Sequence, residues 1–187
     1  MIYFLNFKVF SQAKLYLMLI QLTNNASKPV PKRVFFSYSH KDEALRDELE
    51  KHLASLKHQD IIDTWHDRRI DAGEEWATQI DDHLRTADII VLLVSADFIA
   101  SRYCYDLEMK EALRRHEAGE ARVVPVILRP CDWHDLPFGK FQAATRDARA
   151  VVKFPTLDDG FLEVVQAIKA AAKSMHGNTA KVPFSQA

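Results

Sequence analysis

Cysteine is scarce in this sequence, and its charges nearly cancel. Cys104 and Cys131 are the only two cysteines among 187 residues, which is too few for a disulfide framework and fits a reducing compartment. The 25 Lys and Arg residues are balanced by 26 Asp and Glu residues. That balance disfavours charge-steered binding to nucleic acid or to an anionic membrane as the main activity. We therefore expect a cytoplasmic protein that does not bind nucleic acid.

Long hydrophobic runs are also missing. The longest unbroken apolar run of the N-terminal region, Leu15–Ile20, is far short of the roughly 18 residues that a membrane-spanning helix needs. Lys8 and Lys14 lie inside the apolar stretch, whereas a secretory signal carries its basic residues before it. Residues 1–31 are interpreted as an extension and linker, either an extra packed element or residues upstream of a true start at Met18. We predict the domain proper over residues 32–174 and a tail over 175–187.

Strand and helix patterns alternate along the predicted domain. The run Asp88–Ser95 is too apolar for a strand with one wet face, so both of its faces should be covered, as in the centre of a parallel sheet. We predict an α/β fold, a flavodoxin-like doubly wound five-stranded parallel sheet with strand order 2-1-3-4-5. The predicted strands are Arg33–Tyr38, Ile61–Trp65, Asp88–Ser95, Arg122–Leu128 and Ala148–Phe154, and the helices are Lys41–Lys57, one marked by Trp76, Ile80 and Leu84, Ser101–His116, and a last one capped by Asp158 or Asp159.

Ligands of such sheets bind beyond the carboxyl ends of the strands. Three loops follow those ends here, namely Ser37–Asp42, His66–Trp76 and Ser95–Cys104. The five glycines never approach the spacing of a dinucleotide-binding or P-loop motif, which excludes both classes. A phosphoacceptor receiver of this topology has an aspartate at the end of strand three, where this chain has Val94 and Ser95. The receiver class is therefore excluded as well.

Metal ligands do not form a recognisable set. Among eight histidines, His134 follows Cys131 at C-x-x-H spacing, but the second pair that tetrahedral zinc requires is missing. We therefore expect no metal site.

Three ordered segments resemble the TIR domain family, specifically its bacterial branch. They are VFFSYSHKDE at the first strand, RRIDAGEEW in the glycine-containing loop known in that family as the BB loop, and SADFIASRYCYDLEMKEAL entering the third helix. The resemblance spans about Arg33 to Ala172, and three segments in order are far more specific than any one of them. It implies the flavodoxin-like fold, and it implies one of two activities, homotypic assembly or NAD⁺ cleavage, or both.

The resemblance also implies a catalytic residue. Enzymatic members carry a glutamate on the third helix, four residues after an aromatic residue or a cysteine, and here Glu108 follows Cys104 at that spacing. The chemistry fits one carboxylate, because the nicotinamide leaving group departs as a neutral pyridine and needs no proton, unlike the leaving group of an ordinary glycoside. A nearby carboxylate stabilises the positive charge that develops on the ribose. Without the resemblance, Glu108 would read as a solvated helical glutamate.

Further substrate-binding roles follow from the same resemblance. Arg69 is expected to meet phosphate and Asp71 to hold a ribose, although both also fit a solvated loop. Ser39 is explained equally well as a helix cap, in a capping box with Asp42. Aromatic residues of the set are candidates for stacking on adenine or nicotinamide, although packing is the commoner role. The full set is Tyr38, Ser39, His40, Arg69, Asp71, Gly73, Trp76, Ser95, Tyr103 and Cys104.

The predicted function is therefore NAD⁺ nucleosidase activity, with NAD⁺ as substrate and no cofactor. The products would be nicotinamide and ADP-ribose or a cyclic isomer. The family implies activation by self-assembly through TIR–TIR contacts, a separate sensor protein or nucleotide signal, and a setting in bacterial defence, with a virulence effector as the other setting. The alternative function is a non-enzymatic adaptor that acts through homotypic contacts. A third is a domain that binds or makes a cyclic nucleotide signal.

Overall fold

The computed structural model of the chain describes residues 30–65, 82–101 and 108–176. Apart from Val30, all of these belong to one compact unit that begins at Pro31. No helix among these residues is long and apolar enough to cross a membrane. The predicted domain boundaries at residues 31 and 174 stay predictions.

Four parallel strands form the sheet in the described part of the chain. They are β1 (Lys32–Tyr38), β2 (Ile62–Trp65), β3 (Ile89–Val94) and β4 (Arg122–Ile127), in the order β2-β1-β3-β4. Parallel pairing sets Ser37 of β1 opposite Leu92 of β3. The α/β class, the parallel sheet and the order of its first four strands are confirmed.

The core lies on both faces of this sheet. Alternate residues of β1 divide between the faces, so that Val34, Phe36 and Tyr38 pack on one face and Phe35 on the other. All six residues of β3 are fully buried, as expected for a central strand covered on both sides.

Helices cover both faces of the sheet. The first face holds α1 (Glu43–His52), α2 (Ala54–His58) and α5 (Leu157–His176), and the second holds α3 (Ala96–Ala100), α4 (Met109–Glu117) and the helical turn at residues 82–86. The predicted stripe of α5 is confirmed, because Phe161, Val164, Val165 and Ile168 are buried.

Several predicted helix boundaries were wrong. A 3-10 turn, His40–Asp42, precedes α1, and the predicted single helix Lys41–Lys57 breaks at Leu53, between α1 and α2. The predicted loop after β3 contains α3. In α5 the cap is Thr156, whose hydroxyl accepts a hydrogen bond from the amide of Asp159 while that carboxylate accepts from the amide of Thr156. This reciprocal pair satisfies two of the amides that a helix start leaves unpaired.

The predicted fifth strand at Ala148–Phe154 was also wrong. Two consecutive residues with positive φ, Asp147 and Ala148, turn the chain, and Val151–Lys153 forms a 3-10 turn. The amides of Lys153 and Phe154 bond to carbonyls three residues earlier instead of to a ladder. One amide of the segment, that of Val152, still reaches the carbonyl of Leu128 after β4. Local turns therefore replace strand pairing at this edge.

Three features protect the outer edge of β4 in place of a fifth strand. The Nδ1 atom of His116 accepts a hydrogen bond from the amide of Val123 at 3.1 Å. Pro125 has no amide hydrogen to offer, and its carbonyl accepts from the amide of Ala144. Edge strands with unpaired amides invite association with other chains, and here these contacts occupy the edge.

The His116 contact predicts a pH dependence of stability. Burial, together with the positive charges of Arg122 and Lys140, lowers the pKa of His116 from its ordinary value of 6.5, and only the neutral ring can accept at Nδ1. Because the unfolded chain then binds more protons, this stabilisation is complete above pH 6.5 and is lost as the pH falls through the lower folded value. We expect the free energy of unfolding of the wild type, measured relative to that of His116→Asn, to fall on acidification.

His116→Leu serves as the control, because it removes the acceptor at every pH. It should be less stable than His116→Asn by about 1 kcal/mol throughout the range. A wild-type to His116→Asn difference that does not change with pH would contradict the assignment.

Candidate functional site

A buried carboxylate and a buried hydroxyl meet near the carboxyl end of β1. The Ser37 hydroxyl donates to Oε2 of Glu108 at 2.5 Å. Ser37 is fully buried and Glu108 is 6% exposed. Hydrogen bonds to an ionised carboxylate are shorter and stronger than neutral ones. The pair therefore fixes one oxygen of Glu108 beside the sheet.

The local sequence places Glu108 at this position. Its backbone has helical dihedral angles, φ −66° and ψ −45°, immediately before α4. Met109 and Ala112 of the same helix pack into the core of the second face, and Ser37 points to that face because it alternates with Phe36 and Tyr38 along β1. A strand serine and a helix glutamate are thus brought together across 71 positions of sequence.

A second buried polar cluster joins the ends of three strands. The carboxylate of Asp42, in the turn after β1, is 1% exposed. It accepts from the hydroxyl of Ser95, at the end of β3, and from Nε of Arg129, just after β4, at 2.8 Å. The guanidinium of Arg129 also donates to Asp97. We call these four residues, Asp42, Ser95, Asp97 and Arg129, the Asp42 cluster.

The electrostatics of the Asp42 cluster are those of a shared ion pair. The hydrogen bonds to Asp97 and Asp42 raise the pKa of the Arg129 guanidinium above its ordinary value. Asp42 is the buried charged residue, whereas the side chains of Arg129 and Asp97 are 37% and 44% exposed. The cluster therefore holds its one buried negative charge by a hydroxyl and a guanidinium, and it ties the carboxyl edge of the sheet together.

The structure separates the predicted substrate-binding residues that it describes. The ring of Tyr38 lies in the core of the first face, opposite Ser37 and Glu108, and the Arg46 guanidinium stands over it at 4.9 Å. His40 is exposed, with its ring edge-on to Tyr38 at 6.1 Å between ring centroids. Ser95 belongs to the Asp42 cluster and also caps α3, by accepting from the amide of Phe98 at 3.1 Å.

The predicted capping box of Ser39 and Asp42 is not formed. The hydroxyl of Ser39 accepts from the amide of Lys41 at 3.4 Å, and its carbonyl accepts from the amide of Asp42. The carboxylate of Asp42 instead bonds to Ser95 and Arg129. Six predicted positions lie outside the described residues, namely Arg69, Asp71, Gly73, Trp76, Tyr103 and Cys104.

Sequence reasoning did not assign Ser37, Asp42 or Arg129 to a site. A signal existed for Ser37, since it is the one small polar residue in the run Val34–Tyr38, which is otherwise large and apolar, and a serine there interrupts the inward face. The spacing of Asp42 from Ser39 predicts only a capping role. Nothing in the pattern around Arg129 pointed to Asp42, because the contact crosses 87 positions of sequence.

Comparison with known proteins agrees with this architecture. The chain is an α/β protein with a parallel sheet and polar groups at its carboxyl edge. A family model described as the TIR domain matches residues 34–157. The chain therefore belongs to the TIR domain family, and the membership predicted from the three sequence segments is confirmed.

One curated relative matches over most of this chain. The uncharacterized protein y4lF of Sinorhizobium fredii (strain NBRC 101917 / NGR234) is 57% identical over 154 residues, which cover 82% of this chain and 47% of the relative. The chain thus spans about half the length of the curated relative that it matches.

Solved TIR domains are more distant in sequence. The TIR domain of the Toll-related receptor TRR-2 from Hydra magnipapillata is 21% identical, with a TM-score of 0.48 and coverage of 59% of this chain and 80% of that one. The TIR domains in the activated Roq1 resistosome, which directly recognizes the pathogen effector XopQ, are 22% identical, with a TM-score of 0.43 and coverage of 76% and 84%.

Proposed function

We propose that this TIR domain is an NAD⁺ nucleosidase, with Glu108 as its catalytic carboxylate. The observation that carries the proposal is the buried pair of Glu108 and Ser37, in which a hydroxyl at 2.5 Å orients a carboxylate that is 6% exposed. A carboxylate in a site of low dielectric constant interacts far more strongly with a developing positive charge than one in water. The reaction requires such a carboxylate beside the ribose, because positive charge develops there.

The reaction would proceed by loss of nicotinamide from the ribose carbon. The bond between that carbon and the pyridinium nitrogen breaks with both electrons on nitrogen, so the leaving group departs neutral and the sugar becomes positively charged. The Glu108 carboxylate stabilises that cation, and Ser37 keeps the carboxylate oriented toward it. Water then adds to the ribose carbon and loses one proton to solvent to give ADP-ribose, or a nucleophilic nitrogen of the adenine adds and the base loses one proton to solvent to give a cyclic isomer.

The position of the pair supports the proposal as well. Ser37 is the second-last residue of β1, and ligands of open parallel sheets bind beyond the carboxyl ends of the strands. The Asp42 cluster stabilises the same edge. We propose further that the active form is a cytoplasmic assembly of TIR domains that responds to a separate signal in bacterial defence, and that the predicted contacts of Arg69, Asp71 and Trp76 with NAD⁺ belong to that form.

NAD⁺ turnover by wild type and Glu108→Gln tests the proposal. We expect the substitution to lower the rate at least about a hundredfold, the size seen when one preorganised charge-stabilising group is removed. Glutamine can still accept from Ser37, so the fold should persist. The measurement is made at high protein concentration with a crowding agent, and mass spectrometry distinguishes linear from cyclic ADP-ribose.

Glu111→Gln is the matched control. Glu111 lies on the same helix, but its side chain is 29% exposed and pairs with Arg114 at 2.8 Å, so turnover should not change. Equal loss in both variants would contradict a specific role for Glu108. If NAD⁺ persists while light scattering detects assembly of wild type and variant, the adaptor function replaces the enzymatic one.

A further inference from the structure

A groove of about 570 Å³ lies along the outer edge of the sheet. Its walls are the first residues of β4, the connection at residues 140–144, and α5. The volume falls within the range of roughly 300 to 1,000 Å³ that is usual for small-molecule sites. Because the groove meets β4 at Arg122, Val123 and Val124, it lies at the amino end of that strand. The Glu108–Ser37 pair lies at the carboxyl end of β1.

The charges in this groove have one sign. None of the described residues that line it is acidic, and Arg122 and Lys140 are among them. The guanidinium of Arg122 donates to the hydroxyl of Ser174 at 2.6 Å, and no carboxylate in the described ranges lies within ion-pair distance of it. Lys140 pairs with Glu117 at 3.0 Å, and both side chains are more than half exposed. Among the described residues, Arg122 therefore has a hydroxyl as its side-chain partner and no counter-charge.

His116 lines the groove together with the two cations, Arg122 and Lys140. Burial lowers the pKa of His116 most, and the positive charges of Arg122 and Lys140 lower it further. The charge of Glu117 raises it. The ring is neutral while its Nδ1 atom accepts a hydrogen bond from the amide of Val123. It packs against Phe141 at 4.4 Å between ring centroids. His116 of α4, Arg122 of β4 and Lys140 of the connection thus line the groove from three parts of the fold.

Apart from Gln142 and Ser174, the remainder of the groove is apolar. Val123, Val124, Ala143 and Ala171 form a buried floor, and the ring of Phe141 stands beside it. Sites for small ligands combine such a floor with a few polar groups that fix orientation. A cationic end and an apolar floor suit a ligand with one anionic group and one flat or apolar body.

A neighbouring depression limits the length of the ligand. It shares Ala144 and Ala167 with the groove, and its charged lining residues are Asp159, Glu163 and Arg146. Two carboxylates against one guanidinium give the depression a net negative charge, which disfavours an extended polyanion that follows the surface. The charges therefore favour a ligand confined to the Arg122 end.

We propose that this groove binds a small phosphorylated ligand of mononucleotide size. Its phosphate contacts Arg122 and Lys140, because a guanidinium fork matches phosphate oxygens. Its nucleoside lies on the apolar floor. The site does not depend on the nucleosidase activity proposed for the opposite edge.

Calorimetric titration of the full chain with AMP tests the proposal, with adenosine and inorganic phosphate titrated at the same ionic strength. We expect AMP to bind more tightly than inorganic phosphate and adenosine to bind weakest. Arg122→Gln should weaken AMP binding about tenfold or more, the loss expected for one charge-assisted contact, and Lys140→Gln should weaken it in the same direction. Arg114→Gln, at an exposed arginine that pairs with Glu111 and Glu120, should leave it unchanged.

Three results would overturn the site. The first is the absence of any heat of binding with AMP at millimolar concentration in the folded wild type. The second is equal weakening of AMP binding by Arg122→Gln and Arg114→Gln, which would indicate unspecific attraction. The third is weakening of AMP binding by Glu108→Gln but not by Arg122→Gln, which would place AMP at the other edge of the sheet.

Discussion

Replacing Asp42 by alanine should lower the free energy of unfolding by about 3 kcal/mol, near the lower end of the cost of breaking a buried ion pair. The carboxylate is 1% exposed, and its loss leaves the fully buried hydroxyl of Ser95 without its acceptor and Arg129 without its buried partner. The lower end of the range applies because Arg129 is partly exposed and water can replace some of the lost contact. Urea denaturation of the full chain measures the difference.

Asp97→Ala is the matched control for Asp42→Ala. Both carboxylates bind the same guanidinium, but the side chain of Asp97 is 44% exposed, so its removal should cost less than about 1 kcal/mol. Similar losses in the two variants would mean that burial does not set the strength of this cluster. A loss only in Asp97→Ala would show that the Asp42 contacts contribute no net stability.

Periodicity in the sequence predicted the central part of the fold well. The run of six apolar residues in β3 has no polar alternation, and a strand of that kind is stable only when both faces are covered. The leucines of α1 and α2 and the apolar stripe of α5 have helical spacing that points to one face. These features depend on residues close in sequence, and so the sequence alone is sufficient to predict them.

The errors came from competition between local and long-range bonds. In Ala148–Phe154, Val151 and Val152 favour a strand, but 3-10 bonds within the segment take two of its amides. For Asp42, the spacing to Ser39 matched a capping box, yet the carboxylate is nearer to Ser95 and Arg129 once the strands assemble. Neither outcome follows from a sequence window, because each is decided by partners that the sheet brings together.

The residues of the candidate site also differ in whether a short stretch of sequence is enough to predict them. Glu108 was predictable through the family resemblance and its place on a helix, since both are patterns within a short segment. Ser37 was assigned no role, because its importance depends on which face of β1 meets α4. The neighbouring Tyr38 lies on the other face, as adjacent residues of a strand point to opposite faces. Ser39 follows the end of β1, and its hydroxyl accepts from the amide of Lys41 in the turn.

Arg115→Met should lower the free energy of unfolding by about 3 kcal/mol, because it orphans two buried carbonyls at roughly 1 to 3 kcal/mol each. Nη1 of Arg115 donates to the carbonyls of Leu84 at 2.6 Å and Ala87 at 2.8 Å. Those carbonyls end the helical turn that leads into β3, so Arg115 links α4 to the entry of the central strand. Methionine retains the unbranched apolar stem, so the loss reports the hydrogen bonds more than the packing.

Arg114→Met separates this mechanism from salt-bridge counting. Arg114 makes the closer ion pairs, with Glu111 at 2.8 Å and Glu120 at 3.1 Å, whereas Arg115 reaches Glu120 only at 3.4 Å. Counting pairs would therefore rank Arg114 first. Its side chain is 55% exposed and that of Arg115 only 7%, so we expect Arg114→Met to cost much less stability than Arg115→Met. If Arg114→Met is the more damaging variant in urea denaturation, surface ion pairs rather than carbonyl capping stabilise this end of α4.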